Sequence, residues 1–111
     1  MLPIKLTTRR GLLLVALALL ASGCSSPEAQ KQRHFDQGNK YSAEKRDDFA
    51  VIEYANAVRI DPKFGEAHNN LAVIYMMSGK KTEAENAVKM AEKAGFKVNP
   101  QLKADIKSLG N

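Results

Sequence analysis

The sequence predicts an all-α fold, two helix-turn-helix repeats closed by a further helix, and three observations lead there. First, the chain repeats itself at a spacing of 34 residues. His34 falls on His68, Tyr41 on Tyr75, Ala50 on Ala84 and Ala57 on Ala91, with Gly38 over Ala72 and Tyr54 over Val88 as like-for-like changes. Second, long β-branched runs and hairpin turn pairs are absent. Third, helix stop and start residues recur: Asp61-Pro62, Ser78-Gly79-Lys80, Gly95 and Asn99-Pro100.

The elements follow in chain order. Lys5, Arg9 and Arg10 precede an apolar run from Leu12 to Leu20 that is too short to span a bilayer as a mature helix. Small residues then lead into Cys24, the only cysteine, in the segment Leu20-Ala21-Ser22-Gly23-Cys24. This segment resembles the lipobox of bacterial lipoproteins, with Ala21 where that family more often has Leu. The resemblance implies a signal peptide at 1–23, cleavage before Cys24, and acylation of its thiol and of the new amino terminus. Several acyl chains exceed what stable anchoring requires, so the protein would sit on a membrane without spanning it. No aspartate follows the cysteine. The resemblance therefore favours the periplasmic face of the outer membrane over the inner membrane. Thr8-Arg9-Arg10-Gly11-Leu12-Leu13 is read as an ordinary basic n-region rather than a twin-arginine signal.

Removing that segment changes the charge argument. The whole chain carries 17 basic and 12 acidic residues, and three of the basic ones precede Cys24, which leaves fourteen against twelve. The basic pI of 9.4 therefore belongs partly to the leader and is no nucleic-acid signature. Of 111 residues, 88 remain after the first 23, enough for one small domain. With its thiol lipidated, Cys24 leaves nothing for disulfides or thiolate metal sites.

A polar tether is expected over 24–30. Helices are expected near 28–42, 48–60, 65–77 and 82–94. Asp47 or Asp48 caps the second, and Thr82 with Glu85 forms a capping box on the fourth. Asp61-Pro62 ends the first pair, since proline disfavours helix in the residue before it. Gly95 ends the fourth helix. Asn99 as N-cap and Pro100 as first helical residue open a fifth over 99–111, whose apolar stripe is Leu102, Ile106 and Leu109. Gly38, Ala72, Ala50 and Ala84 sit where helices approach closely, while Tyr41 and Tyr75 fill the space within each hairpin.

A helix-turn-helix repeat of this period resembles the tetratricopeptide repeat. The first copy, 31–64, supplies Gly38, Tyr41, Ala50, Tyr54, Ala57 and Pro62. The second, 65–98, supplies Leu71, Ala72, Tyr75, Gly79, Ala84 and Ala91, and departs at Val88 and at the closing proline. The resemblance implies an α-solenoid fragment with residues 99–111 as its capping helix. Two repeats are fewer than the usual three, so pairing with a second copy as a homodimer is one expected outcome.

Catalytic chemistry has little to stand on. His34 and His68 share one repeat position and read as packing or surface residues, not as a metal pair or a general base. The seven glycines are scattered and form no phosphate-cradling loop. The expectation is a non-enzyme with no metal and no cofactor beyond the covalent lipid. What remains is binding. The resemblance implies that Gln32, Phe35, Asn39 and Ser42 of the first helix lie on a concave groove, with Glu66, Asn69, Asn70, Val73 and Met76 or Met77 of the third. Asparagines there can pair with a peptide backbone, and Val73 and the methionines offer an apolar floor. Asn39 and Asn70 match two positions of the repeat subfamily that clamps C-terminal carboxylates. The basic residue that subfamily needs is replaced by Phe35.

Residues 29–62 are similar to the first repeat of tetratricopeptide lipoproteins found with exopolysaccharide export systems, and the pilus-assembly lipoproteins are a second likeness. The function expected is a membrane-anchored scaffold or assembly factor in the bacterial envelope, binding a segment of another envelope protein. The alternative is a component of an export or pilus machine that contacts polysaccharide or pore subunits directly. Direct polysaccharide contact would favour exposed aromatics, for which Phe35, Phe64 and Phe96 are the candidates. No nucleic-acid partner is expected.

Overall fold

A computed structural model describes residues 24–110, and the expected signal peptide at 1–23 lies outside them. The described residues form five helices and no strands: α1 (Pro27–Ala43), α2 (Asp47–Ile60), α3 (Gly65–Met77), α4 (Lys81–Lys93) and α5 (Pro100–Ser108). The order is two helical hairpins, α1 with α2 and α3 with α4. Helix α2 packs on α3 to join them, and α5 closes over α4 and α3.

Each helix start has a local cause. Ser26 caps α1, its Oγ accepting from the Ala29 amide at 3.1 Å, and Pro27 takes the first position, where no amide donor is needed. This cap shortens the expected 24–30 tether, because only Cys24, Ser25 and Ser26 precede the helix. Asn99 caps α5 through its Oδ1, which accepts from the Gln101 amide at 2.8 Å, with Pro100 following.

The expected caps of α2 and α4 are corrected. Arg46 and Lys80 occupy those N-cap positions without a side-chain hydrogen bond. Asp47 and Asp48 lie inside the first turn of α2, and Thr82 lies inside α4. The reason is the tight turn before each helix. The Arg46 amide donates to Tyr41 O at 2.9 Å while the Lys45 amide donates to Ser42 O at 3.0 Å. The same pair recurs as Lys80 to Tyr75 and Gly79 to Met76, and again after α4 as Phe96 to Ala91 and Gly95 to Glu92. These are Schellman endings, and they commit the chain to the next segment within three residues. The middle residue of each is left-handed: Lys45 at φ 57°, Gly79 at φ 72° and Gly95 at φ 85°. Asp47 and Asp48 still favour α2, since carboxylates complement a helix N-terminus.

Alanines set the helix spacing. Ala50, Ala57, Ala67, Ala72, Ala84 and Ala91 are fully buried, which lets neighbouring backbones approach closely. Bulk comes from Phe35, Tyr54, Leu71, Ile74, Val88, Val98, Leu102 and Ile106. Burying a side chain such as Phe35 stabilises by about 1.5–3 kcal/mol. Tyr41 and Tyr75 are only half-buried, and Tyr54 is the tyrosine that fills the interior. Phe35 stacks obliquely on Tyr54 and on Phe64, with ring centroids 5.7 and 4.7 Å away. It thereby couples both hairpins.

Polar contacts hold the junction. Lys31 Nζ donates to Asp61 Oδ2 at 3.0 Å, pairs with Glu28 at 2.8 Å, and stands 4.7 Å from the centre of the Phe64 ring. Asp61 also accepts from the Lys63 amide at 3.0 Å, which shapes the turn between hairpins. At the far end, Lys81 Nζ donates to the Lys107 and Leu109 carbonyls at 3.3 and 3.1 Å, so a cation meets the C-terminus of α5.

Candidate functional site

The groove lies between the hairpins. Helix α1 contributes Asn39, Ser42 and Ala43. Helix α3 contributes Asn70, Val73 and Ile74, and the Tyr54 ring rises from α2 between them. Spacings of three and four place each set on one helix face. Together they line a cavity of about 350 Å³.

Tyr54 organises the polar floor. Its hydroxyl donates to Asn39 Oδ1 at 2.7 Å, and Asn70 Nδ2 donates to the same oxygen at 3.2 Å. An amide oxygen has two lone pairs, so these two bonds fill it. Among the described residues the Asn39 amide N–H groups and the Asn70 oxygen have no hydrogen-bond partner. They form an adjacent donor and acceptor on facing helices. Burial pushes the Tyr54 hydroxyl pKa up, and the Glu66 carboxylate adds to the rise, against hydrogen bonds with Asn70 and Ser42. The phenol therefore stays a neutral donor across the physiological range.

Of the residues expected on the groove, Asn39, Ser42, Asn70 and Val73 come together there. Glu66 is exposed in the first turn of α3, near enough for its charge to act on Tyr54. Phe35 is corrected: it is 5% exposed and belongs to the core, where Tyr54 and Phe64 enclose it. It offers no stacking platform for a sugar. Met76 is half-buried against the core, whereas Met77 is exposed. The Asn69 Oδ1 is buried without a hydrogen-bond partner among the described residues, and Asn69 is not among the residues that line the groove. Gln32 is exposed and donates to Asp36 Oδ1 at 2.9 Å.

Tyr54, Ala43 and Ile74 were missed as groove residues. A signal for Tyr54 exists: a tyrosine at an interior repeat position needs a partner for its hydroxyl, and the asparagines nearby can supply one.

The histidines take structural contacts. His34 Nδ1 meets Glu53 Oε2 at 2.6 Å and links α1 to α2. His68 is buried, and its Nε2 meets the Pro62 carbonyl at 2.9 Å. That contact makes Nε2 the protonated nitrogen and ties α3 to the linker before it. Among the described residues no group of three or more His, Cys, Asp or Glu is placed to hold a metal ion. Cys24 is a free, exposed thiol three residues before α1.

Comparison with known proteins bears on the groove directly. No curated protein and no solved structure matches the chain. Residues 53–86 match the family model described as tetratricopeptide repeat. The matched segment starts within α2 and ends within α4, so it spans the junction and contains Tyr54, Asn70, Val73 and Ile74. Together the match and the stacked hairpins support a tetratricopeptide-repeat protein, an all-α array of two helix pairs with a closing helix.

Proposed function

We propose that this protein is a lipid-anchored scaffold of the bacterial envelope that holds an extended segment of another envelope protein in the α1–α3 groove. The carrying observation is the shared Asn39 oxygen. Because Tyr54 and Asn70 use it, the Asn39 N–H groups and the Asn70 oxygen are left without a partner among the described residues, beside the groove that both asparagines line. A peptide bond presents the complementary acceptor and donor. Pre-ordered partners reduce the entropy lost on binding. Tetratricopeptide repeats in general bind proteins rather than catalyse, and this groove fits that role.

The lipobox-like segment ending at Cys24 supports anchoring, as does the exposure of that thiol close to the start of α1. Acylation there would hold the groove near the periplasmic face of the outer membrane. Restricting both partners to one surface raises their effective concentration without any added contact. A sugar-stacking role is less well supported, because Phe35 is buried and Phe64 is covered by Phe35 and Lys31.

Two measurements test the reading. Metabolic labelling with an alkynyl fatty acid should mark the wild-type chain and not Cys24→Ser. Labelling of both, or of neither, would defeat the anchor. A photo-crosslinking residue at Ser42 should trap one heterologous envelope protein, and Asn39→Ala with Asn70→Ala should abolish the adduct. Adducts only to a second copy of the chain would reassign the groove to a homodimer.

A further inference from the structure

We infer that the end of the array nearest Cys24 docks on anionic phospholipid headgroups, through Lys63 and Lys93 around an apolar pocket. This rests on the acylated Cys24 of the reading above and is independent of what fills the groove. Contacts between elements define this end. Lys31 pairs with Glu28 and Asp61, so the first turns of α1 lie against the linker between α2 and α3. A β-carbon on Gly65 would lie 2.6 Å from Phe96 Cβ and 3.4 Å from Ala94 Cβ, so the start of α3 lies against the end of α4. Pro62 and Lys63 of the linker line a pocket of about 220 Å³ with Met90, Lys93 and Ala94 of α4. Only Cys24, Ser25 and Ser26 precede α1, a reach of about 10 Å when extended. An acyl chain on Cys24 therefore holds this end, and not the opposite one, at the headgroups.

Lys63 and Lys93 are exposed, and neither takes part in a salt bridge among the described residues. Met90 shares their pocket and is 38% exposed, an apolar side chain able to enter the headgroup layer. Lys89 stands one turn before Lys93 on the same face of α4, and Lys97 follows in the loop. Most acidic groups at this end are taken. Glu28 and Asp61 hold Lys31, Asp61 also accepts from the Lys63 amide, and Glu92 holds Lys103 at 2.8 Å. Glu66, three residues after Lys63, is exposed and without a pair among the described residues, and it offsets one cation. The unpaired groups are then Arg59, Lys63, Lys89, Lys93 and Lys97 against Glu66 alone. Attraction to a helix C-terminus accounts for Arg59 and Lys93, which lie in the last turns of α2 and α4. It does not account for Lys63 or Lys97, which lie outside the helices. At the opposite end Glu44, Asp47, Asp48 and Glu83 offset the basic residues. Anionic headgroups attract cations only within a Debye length of the surface, a range the short tether enforces here. Docking stands α1 on its N-terminus. Asn39 lies twelve positions beyond Pro27, about 18 Å along the helix, so the groove opens above the headgroups.

The test uses the acylated protein, purified from membranes and reconstituted in vesicles of phosphatidylcholine alone or mixed with phosphatidylglycerol. Cys24 is the only native cysteine, so Gln101→Cys and Glu83→Cys each present a single free thiol for a nitroxide label. Gln101 lies at the start of α5, near the anchored end, and Glu83 lies in the first turn of α4, at the other. A nickel-chelating lipid relaxes a nitroxide held close to the headgroups. The label at position 101 should be relaxed more than the label at 83, and the excess should grow with phosphatidylglycerol. The ratio of docked to free orientations read from it should fall about threefold to fivefold in Lys63→Gln, and again in Lys93→Gln. High salt should erase the phosphatidylglycerol effect. Lys40→Gln with Lys80→Gln, at the opposite end, should leave it unchanged. Equal relaxation at position 101 with and without phosphatidylglycerol overturns the inference. So does stronger relaxation at 83, an excess that survives Lys63→Gln and Lys93→Gln, or an equal loss from the Lys40 and Lys80 substitutions. In those cases a wild-type chain that takes up no nitroxide leaves the anchor standing. A wild-type chain that does take it up carries a free Cys24 thiol, which overturns both.

Discussion

Tyr54 and Gly38 occupy complementary space: a β-carbon on residue 38 would lie 2.6 Å from Tyr54 Cε1 and 2.7 Å from Cδ1. The ring has little room to retreat. Its hydroxyl is tied to Asn39 at 2.7 Å, and Phe35 packs on it with centroids 5.7 Å apart. Gly38→Ala gains about 1 kcal/mol in helix propensity. Forcing the Tyr54 ring aside costs more, about 1–3 kcal/mol. Net destabilisation is expected, and urea unfolding followed by circular dichroism measures it. Peptide binding should weaken as well, because displacing Tyr54 frees the Asn39 oxygen to rotate out of register.

Lys45 and Gly79 make the same turn one repeat apart, both with positive φ. A side chain in that conformation is strained by about 1–2 kcal/mol, and glycine relieves most of the strain. Part of the gain is lost to the greater freedom of glycine in the unfolded chain. Lys45→Gly is therefore expected to stabilise by about 0.5–1 kcal/mol, and Gly79→Ala to destabilise by about 1 kcal/mol. Thermal midpoints of the two variants should move in opposite directions.

The Lys31–Asp61 contact predicts a pH window. Hydrogen bonds from Lys31 and from the Lys63 amide hold the Asp61 pKa below its ordinary 3.8. The bonds to Glu28 and Asp61 hold the Lys31 pKa above its ordinary 10.5. A lowered carboxylate pKa stabilises above the unfolded value, and that contribution is lost as pH falls through the folded value. A raised lysine pKa stabilises below the unfolded value and is lost as pH rises through the folded one. The pair therefore contributes fully between about pH 4 and 10 and fades at both ends. Asp61→Asn should flatten the acid limb of a stability–pH curve and take up fewer protons on acid unfolding. An acid limb identical to wild type would show that other carboxylates set it.

Much of this fold is legible in the sequence because its punctuation is chemical. Asn99-Pro100 and Gly95 mark helix ends through a missing donor and a left-handed backbone, and the 34-residue period locates the hairpins. The starts of α2 and α4 were less legible. Asp47, Asp48 and Thr82 have good capping side chains, but Schellman endings at Lys45 and Gly79 begin each helix one residue earlier with backbone bonds alone. Repeat position alone misplaced Phe35. Its ring packs on Tyr54 and on Phe64, and the contact from the linker residue Phe64 that helps cover it is not encoded by spacing within α1. Tyr54 was visible as a core residue, but its role in fixing Asn39 depends on a contact between helices that no spacing within one helix encodes.

Asn69 falls at the position after 34 residues that Phe35 fills in the first repeat, and it is the less settled of the two. Its Oδ1 is buried without a partner among the described residues. An unpaired buried acceptor costs about 1–3 kcal/mol, whereas an apolar side chain of similar shape carries no such penalty. Asn69→Leu is therefore expected to raise stability by about 1 kcal/mol, read from the urea midpoint. Its effect on partner capture separates two uses of the residue. If Asn69 only packs, crosslinking through Ser42 should be unchanged in the variant. Loss of capture from a more stable protein would mean that a partner supplies the missing donor.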